Sequence, residues 1–187
     1  MMTRRRMFEA VLSCRQAYLG KSIEVLDKVV RLPDDRFAHR DVVTYVGGAV
    51  CVVALTVDNR VVLVRQYRPA PEMVMLEIPA GRRHDVRERF LTAARRELRE
   101  ETGYIASSWK KCIEFWPSPG FVDERLTLYI AKDLRHGPTE MDSDEFIKPV
   151  LMPVTEAIER CRDGRMNDAK TLIGLLWCAA FEGLAGS

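Results

Sequence analysis

The sequence predicts an α+β fold in which helices sandwich a sheet, and three observations predict it. Short β-rich runs recur between about residues 10 and 152, a run of good helix formers interrupts them near residues 88–102, and two more helical stretches follow the last strand. Strands and helices mixed in this order bury their apolar faces by packing helices onto a sheet. The 187 residues amount to one domain of roughly 150 residues with an appendage. A chain of this size buries about 70% of its unfolded surface, enough for a core without staples.

Residues 10–46 alternate weakly and are punctuated by Gly20 and by Pro33-Asp34-Asp35, which predicts two or three strands joined by turns. Gly47-Gly48 opens Ala49–Leu55, a β-rich run expected to be buried on both faces. Asp58-Asn59-Arg60 is a turn, and Val61–Val64 completes a hairpin that runs out at Gln66-Tyr67-Arg68-Pro69. Leu76–Gly81 is a short strand broken by proline and glycine. The helix expected over Glu88–Thr102 ends at Gly103, a natural residue for the left-handed position after a helix. Strands resume at Lys110–Phe115, Leu126–Ala131 and about Phe146–Met152. Helices are expected at Val154–Arg162 and Asp168–Phe181.

The composition excludes several classes. It is 47% hydrophobic and 30% charged, which argues against disorder. A net charge of +2 gives no bulk attraction to nucleic acid or to an acidic membrane. The five cysteines are widely spaced and include no CxxC pair, so free thiols are expected rather than a disulfide framework or a zinc site. The longest uncharged apolar stretch, Gly47–Val57, falls short of the roughly 20 residues of a membrane span. Arg4-Arg5-Arg6 is not followed by the apolar core of an export signal, so a cytoplasmic protein is expected.

The chemistry concentrates in one helix. With about 100° of turn per residue, Glu97, Glu100 and Glu101 fall within an arc of about 100°, while Arg95 and Arg99 project to the far side. Like charges at this spacing disfavour a bare helix, and so does the helix dipole at its C-terminal end. A hard divalent cation would offset both costs, because Mg²⁺ takes a few carboxylates and completes its shell with water and substrate phosphates. A bare acidic helix end is otherwise a solvated surface.

The surrounding string favours the cation-holding reading through a resemblance. Gly81, Glu88, Arg96, Glu97, Leu98, Glu100, Glu101 and Gly103 resemble the Nudix box, G-x5-E-x7-R-E-U-x-E-E-x-G-U with U apolar. There are two departures: six residues rather than five separate Gly81 from Glu88, and Tyr104 fills the last apolar position. The resemblance implies a Nudix fold with a mixed central sheet, residues 47–187, preceded by an antiparallel β element, residues 1–46. It also implies that Glu97, Glu100 and Glu101 hold Mg²⁺, or Mn²⁺, against a diphosphate, with the Ala80 carbonyl as a further ligand. Arg96 would orient the glutamates, and Glu88 would support the loop before the helix or act as an N-terminal helix acid.

Beyond the box, Val64–Arg68, Leu76–Gly81, Pro117-Ser118-Pro119-Gly120-Phe121 and Asp168–Ile173 resemble the branch of that family that hydrolyses ADP-ribose and nucleoside-diphosphate sugars. The proline sixteen residues beyond Gly103, Pro119, is a mark of the ADP-ribose group. This likeness implies Arg68 as a phosphate or ribose contact, Glu77 and Glu124 as sugar or metal partners, and Pro119-Gly120 as part of the substrate wall. A glutamate on a loop after the helix positions the attacking water in such enzymes; Glu145 holds the matching place, with Asp144 or Asp142 behind it. The implied reaction is hydrolysis of ADP-ribose to AMP and ribose 5-phosphate. GDP-mannose, another nucleotide sugar or an oxidised nucleotide are the alternative substrates, and a non-catalytic ligand-binding module is a remote one. The N-terminal strands are expected to make a homodimer, with Arg40 reaching the partner's substrate pocket.

Overall fold

The computed structural model describes residues 7–45, 47–137 and 146–183. These residues divide into two compact units. In the first, β1 (Ala10–Leu19), β2 (Glu24–Arg31) and β3 (Phe37–Thr44) form an antiparallel sheet in the order β1-β2-β3. Asp35 takes a positive φ of 64° in the turn between β2 and β3, where aspartate is tolerated. Ser118–Glu124 belongs to this unit rather than to the residues that flank it. Val43 bridges to Val122, and the Tyr45 N–H donates to Asp123 Oδ1 at 2.9 Å. β1 is exposed along nearly all its length, with Val11, Leu12, Tyr18 and Leu19 each more than half accessible.

The second unit is built on β4 (Ala49–Leu55), β5 (Arg60–Arg68), β6 (Met73–Glu77), β7 (Ala80–Arg82), β8 (Tyr104–Phe115), β9 (Leu126–His136) and β10 (Lys148–Pro153). The sheet runs β10-β5-β4-β9-β8; β4 and β9 are parallel and the other neighbours antiparallel, so it is mixed as expected. All seven residues of β4 are buried, and their alternation serves two cores. Val50, Val52 and Ala54 pack with Ala93, Ala94 and Leu98 of α1 (Phe90–Thr102) on one face. Cys51, Val53 and Leu55 pack on the other face with Val154 and Ala157 of α2 (Val154–Arg162) and with Leu175 and Cys178 of α3 (Ala169–Phe181). The result is an α/β/α sandwich.

Several boundaries differ from expectation for identifiable reasons. β8 begins at Tyr104, directly after the helix, not at Lys110. Its first half carries Ser107-Ser108 and little β-branched character, so only the ladder with an equally extended β9, Tyr104 opposite His136, defines it. The Leu76–Gly81 run is two strands: β6 pairs with β5, then β7 pairs with β4. β10 carries Pro149, which the outermost strand tolerates because one row of its backbone donors has no ladder to feed. No helix among the described residues is long and apolar enough to cross a membrane.

Candidate active site

The switch from β6 to β7 opens the site. β4 and β5 pair through only Ala54–Val62 and Leu55–Val61, and Ile78-Pro79 carries the chain across the gap between them. The Val52 N–H takes the Pro79 carbonyl at 2.9 Å, which fixes the crossing. α1 lies over this fork and ends at Gly103, whose φ of 72° is the left-handed cap expected of it; its N–H donates to the Arg99 carbonyl.

Glu97, Glu100 and Glu101 descend from α1 toward β7 and are anchored in different ways. Glu101 is 4% exposed, and its Oε2 accepts the Ala80 N–H at 3.1 Å. Arg96 Nη1 donates to Glu97 Oε1 at 2.8 Å and to Glu100 Oε2 at 2.9 Å, while its Nε reaches Glu88 Oε1 at 3.1 Å. Burial would lower the Arg96 pKa, but the bonds to Glu88, Glu97 and Glu100 outweigh it and raise it. Gly81 lies against Glu97 so closely that a Cβ there would collide with the carboxylate; glycine makes room for that side chain.

Glu88 is not inside the helix, which starts at Phe90 with no acid in its first turn. The loop claims it instead: Oε2 accepts the His84 N–H at 2.7 Å and Oε1 accepts Arg96. Burial pushes the Glu88 carboxyl up, but Arg96 and the His84 amide hold it below the usual range. The extra residue before Glu88 is absorbed locally. Asp85 Oδ1 accepts the N–H groups of Arg87 and Glu88, and Arg83 donates to the carbonyls of Gly47, Val86 and Glu88 while stacking 4.2 Å from the Phe90 ring.

Arg68, Ala80, Gly81, Arg96, Glu97 and Glu100 line a cleft of about 380 Å³. Arg83 and His84 also border it, and nothing in the sequence singled them out. Arg68 enters from β5 and forks onto Glu77, Nε to Oε1 at 2.7 Å and Nη2 to Oε2 at 2.8 Å. Glu77 is 1% exposed and also receives Lys170 of α3. Burial pushes its carboxyl up; Arg68 and Lys170 together overcome that and hold it below the usual range.

The cleft thus brings together Arg68, Ala80, Glu97 and Glu100, with Glu77 and Glu101 behind them. Arg40, Pro119, Gly120 and Glu124 lie in the other unit. Arg40 is doubly bonded to Glu9, Nη2 to Oε1 at 2.6 Å and Nε to Oε2 at 3.1 Å. Pro119 and Gly120 are exposed in a turn. Glu145, Asp144 and Asp142 lie outside the described residues.

The donor set suits a hard divalent cation: three carboxylates on one helix face beside the Ala80–Gly81 backbone, with His84 as the one imidazole at the cleft border and no thiolate in its lining among the described residues. No three His, Cys, Asp or Glu side chains among the described residues already converge on one point. The carboxylates are spread around Arg96 instead, and each ionised carboxylate has about four lone-pair positions, so the arginine does not exhaust them.

Comparison with known proteins agrees with the fold. The family model described as NUDIX domain matches residues 46–173. The chain is 35% identical to "Methanol dehydrogenase activator" of Bacillus methanolicus and 33% identical to "ADP-ribose pyrophosphatase" of Bacillus subtilis (strain 168), in both cases over 94% of this chain and 95% of the relative. It is 34% identical to "GDP-mannose pyrophosphatase" of Cronobacter sakazakii over 72% of this chain and 74% of the relative. A crystal structure of an ADP compounds hydrolase superposes with a TM-score of 0.82 at 20% identity, covering 95% of this chain and 96% of the other.

Proposed function

The chain belongs to the NUDIX family of hydrolases, in its ADP-ribose pyrophosphatase and nucleoside-diphosphate-sugar branch, and we propose that it cleaves the diphosphate of ADP-ribose with Mg²⁺ to give AMP and ribose 5-phosphate. The observation that carries this is the arrangement of Glu97, Glu100 and Glu101 on one face of α1, across a cleft from Arg68. Bound Mg²⁺, or Mn²⁺ in its place, would supply charge neutralisation on the diphosphate and lower the pKa of coordinated water. Glu97, Glu100, Glu101 and the Ala80 carbonyl are the groups that would hold it.

The chain's own residues then have separate tasks. Arg68 offers a guanidinium to a diphosphate oxygen from the cleft wall, a charge-assisted contact. Arg96 bonds Glu97 and Glu100 through one nitrogen and so restrains both carboxylates beside the cleft. Glu145 orients the attacking water, which adds to one phosphorus as the bridging oxygen leaves with the other phosphate. Arg40, Pro119, Gly120 and Glu124 are proposed to contact the sugar end.

Purified protein with Mg²⁺ is expected to release AMP from ADP-ribose, measured by ion-exchange chromatography, and to lose about 10²-fold or more in rate on Glu145→Gln. Equal or faster turnover of GDP-mannose would overturn the substrate assignment, and a fully active Glu145→Gln would remove that residue's role. We also propose a homodimer through the N-terminal strands. β1 exposes Val11, Leu12, Tyr18 and Leu19 on a three-stranded sheet, a surface suited to a second copy. Light scattering coupled to size exclusion is expected to give twice the 21.4 kDa chain mass; a monomer at micromolar concentration that hydrolyses normally would exclude both the dimer and a shared site.

A further inference from the structure

Asp168-Ala169-Lys170-Thr171 opens α3 and makes three separate attachments. Asp168 Oδ2 accepts the Thr171 N–H at 3.0 Å and its hydroxyl at 2.6 Å, which caps the helix. The Thr171 Oγ1 accepts the buried Ile78 N–H at 2.9 Å and so staples the helix end to the chain crossing between β6 and β7. Lys170 extends between the two acids, 3.0 Å from Asp168 Oδ1 and bonded to Glu77 Oε2.

Glu77 Oε2 is therefore shared by Lys170 and by Arg68 Nη2. Two cations, Arg68 and Lys170, face two anions, Glu77 and Asp168. The Arg68 fork occupies Nε and Nη2. Nη1 makes no hydrogen bond among the described residues, and Arg68 borders the cleft with a side chain 35% exposed. A planar arginine offers a directed contact only when its plane is fixed, and the fork on Glu77 fixes it. A buried carboxylate holds a two-pronged fork well only while ionised, and at 1% exposure Glu77 is held by two cations, Arg68 and Lys170.

We propose that Lys170 is a positioning residue for substrate: by sharing Glu77 Oε2 with Arg68 it fixes the guanidinium plane, so that Arg68 presents its Nη1 edge to an anionic diphosphate in the cleft. The proposal rests on the assignment of the cleft to a nucleoside diphosphate and deepens it by placing one determinant of affinity on α3, 102 residues beyond Arg68 in the chain. Lys170 touches no substrate atom; it acts through Glu77 and Arg68.

The test measures ADP-ribose binding by calorimetry in EDTA, where no divalent cation supports turnover, and KM and kcat separately with Mg²⁺. In Lys170→Met, Kd and KM are expected to rise together by about 10- to 100-fold, the usual cost of losing an outer-layer partner, with kcat within about threefold of wild type. Lys170→Arg keeps the charge and is expected to recover most of the affinity. Thr171→Val removes the staple but leaves all four charges, and is expected to lower stability without a comparable rise in KM. Adding Lys170→Met to Arg68→Met is expected to raise Kd no further than Arg68→Met alone. If Lys170→Met does not fold, Asp168→Asn decides, since asparagine still caps the helix while loosening the lysine, and KM is expected to rise without a fall in kcat.

Wild-type affinity in Lys170→Met, an equal KM rise in Thr171→Val, or additive losses in the double variant would each overturn the proposal. So would an unchanged KM in Asp168→Asn. A wild-type protein that neither binds nor hydrolyses ADP-ribose would instead remove the substrate assignment on which the proposal stands.

Discussion

Glu101→Gln is expected to lower kcat on ADP-ribose by about 10³-fold or more, the equivalent of losing several kcal/mol of charge stabilisation at the diphosphate. Glu101 is the most buried of the three box glutamates, and its Oε2 takes the Ala80 N–H. A glutamine carbonyl oxygen accepts the same hydrogen bond, so the anchor to β7 survives while the negative charge is lost. The melting temperature is expected to stay within about 3 °C of wild type, the shift that about 1 kcal/mol produces in a chain this long. Glu100→Gln, whose partner is Arg96 at 2.9 Å, is expected to lose activity in the same way. Full activity in both variants, assayed as AMP release, would mean that these carboxylates hold no metal.

The largest effect on stability is expected at Glu77. Glu77→Gln leaves Arg68 and Lys170 without the charge that both of them contact. Breaking a buried pair by removing one partner costs about 3–5 kcal/mol, and because Arg68 keeps a third of its side chain in water the lower end applies. About 3 kcal/mol corresponds to a fall of roughly 6–12 °C in Tm near pH 7. The folded-state pKa of Glu77 is depressed below its ordinary 4.5. Its contribution is therefore complete above that range and lost as the pH falls through the lower, folded value. Melting curves of wild type and variant should converge as the pH falls through that depressed folded value, because the protonated acid and the amide are both uncharged. Equal Tm values at neutral pH would show that the network contributes nothing net.

What the sequence could reveal followed from local rules. Gly103 marked the helix end because the left-handed position favours glycine. The apolar run Ala49–Leu55 marked the doubly buried strand, and the helical repeat put Glu97, Glu100 and Glu101 on one face. The rest depends on partners distant in the chain. Glu88 has the composition of a helix acid, but the loop bonds to His84 and Arg96 take it out of the helix. The first half of β8 has weak intrinsic β character and exists because β9 lies beside it. Lys170 stands 93 residues from Glu77, and nothing in the composition of Asp168–Thr171 announces that its charge is needed at the far wall of the cleft. Arg83 and His84 became visible only once the loop carrying the extra residue was closed around Glu88.

The chain crossing from β6 to β7 has a consequence for how precisely the cleft is made. Leaving one ladder before joining the next strips backbone amides of their regular partners, and a buried amide cannot be left bare. Here those amides are answered from outside the sheet: Ile78 by the Thr171 hydroxyl, Ala80 by the Glu101 carboxylate, and Val52 by the Pro79 carbonyl. Two of the three answers come from side chains of helices on opposite faces of the sheet, so the interruption fastens both helical layers to the same few residues. The proposed site and the fold share these bonds, so the place where the layers are joined is also the wall of the candidate cleft.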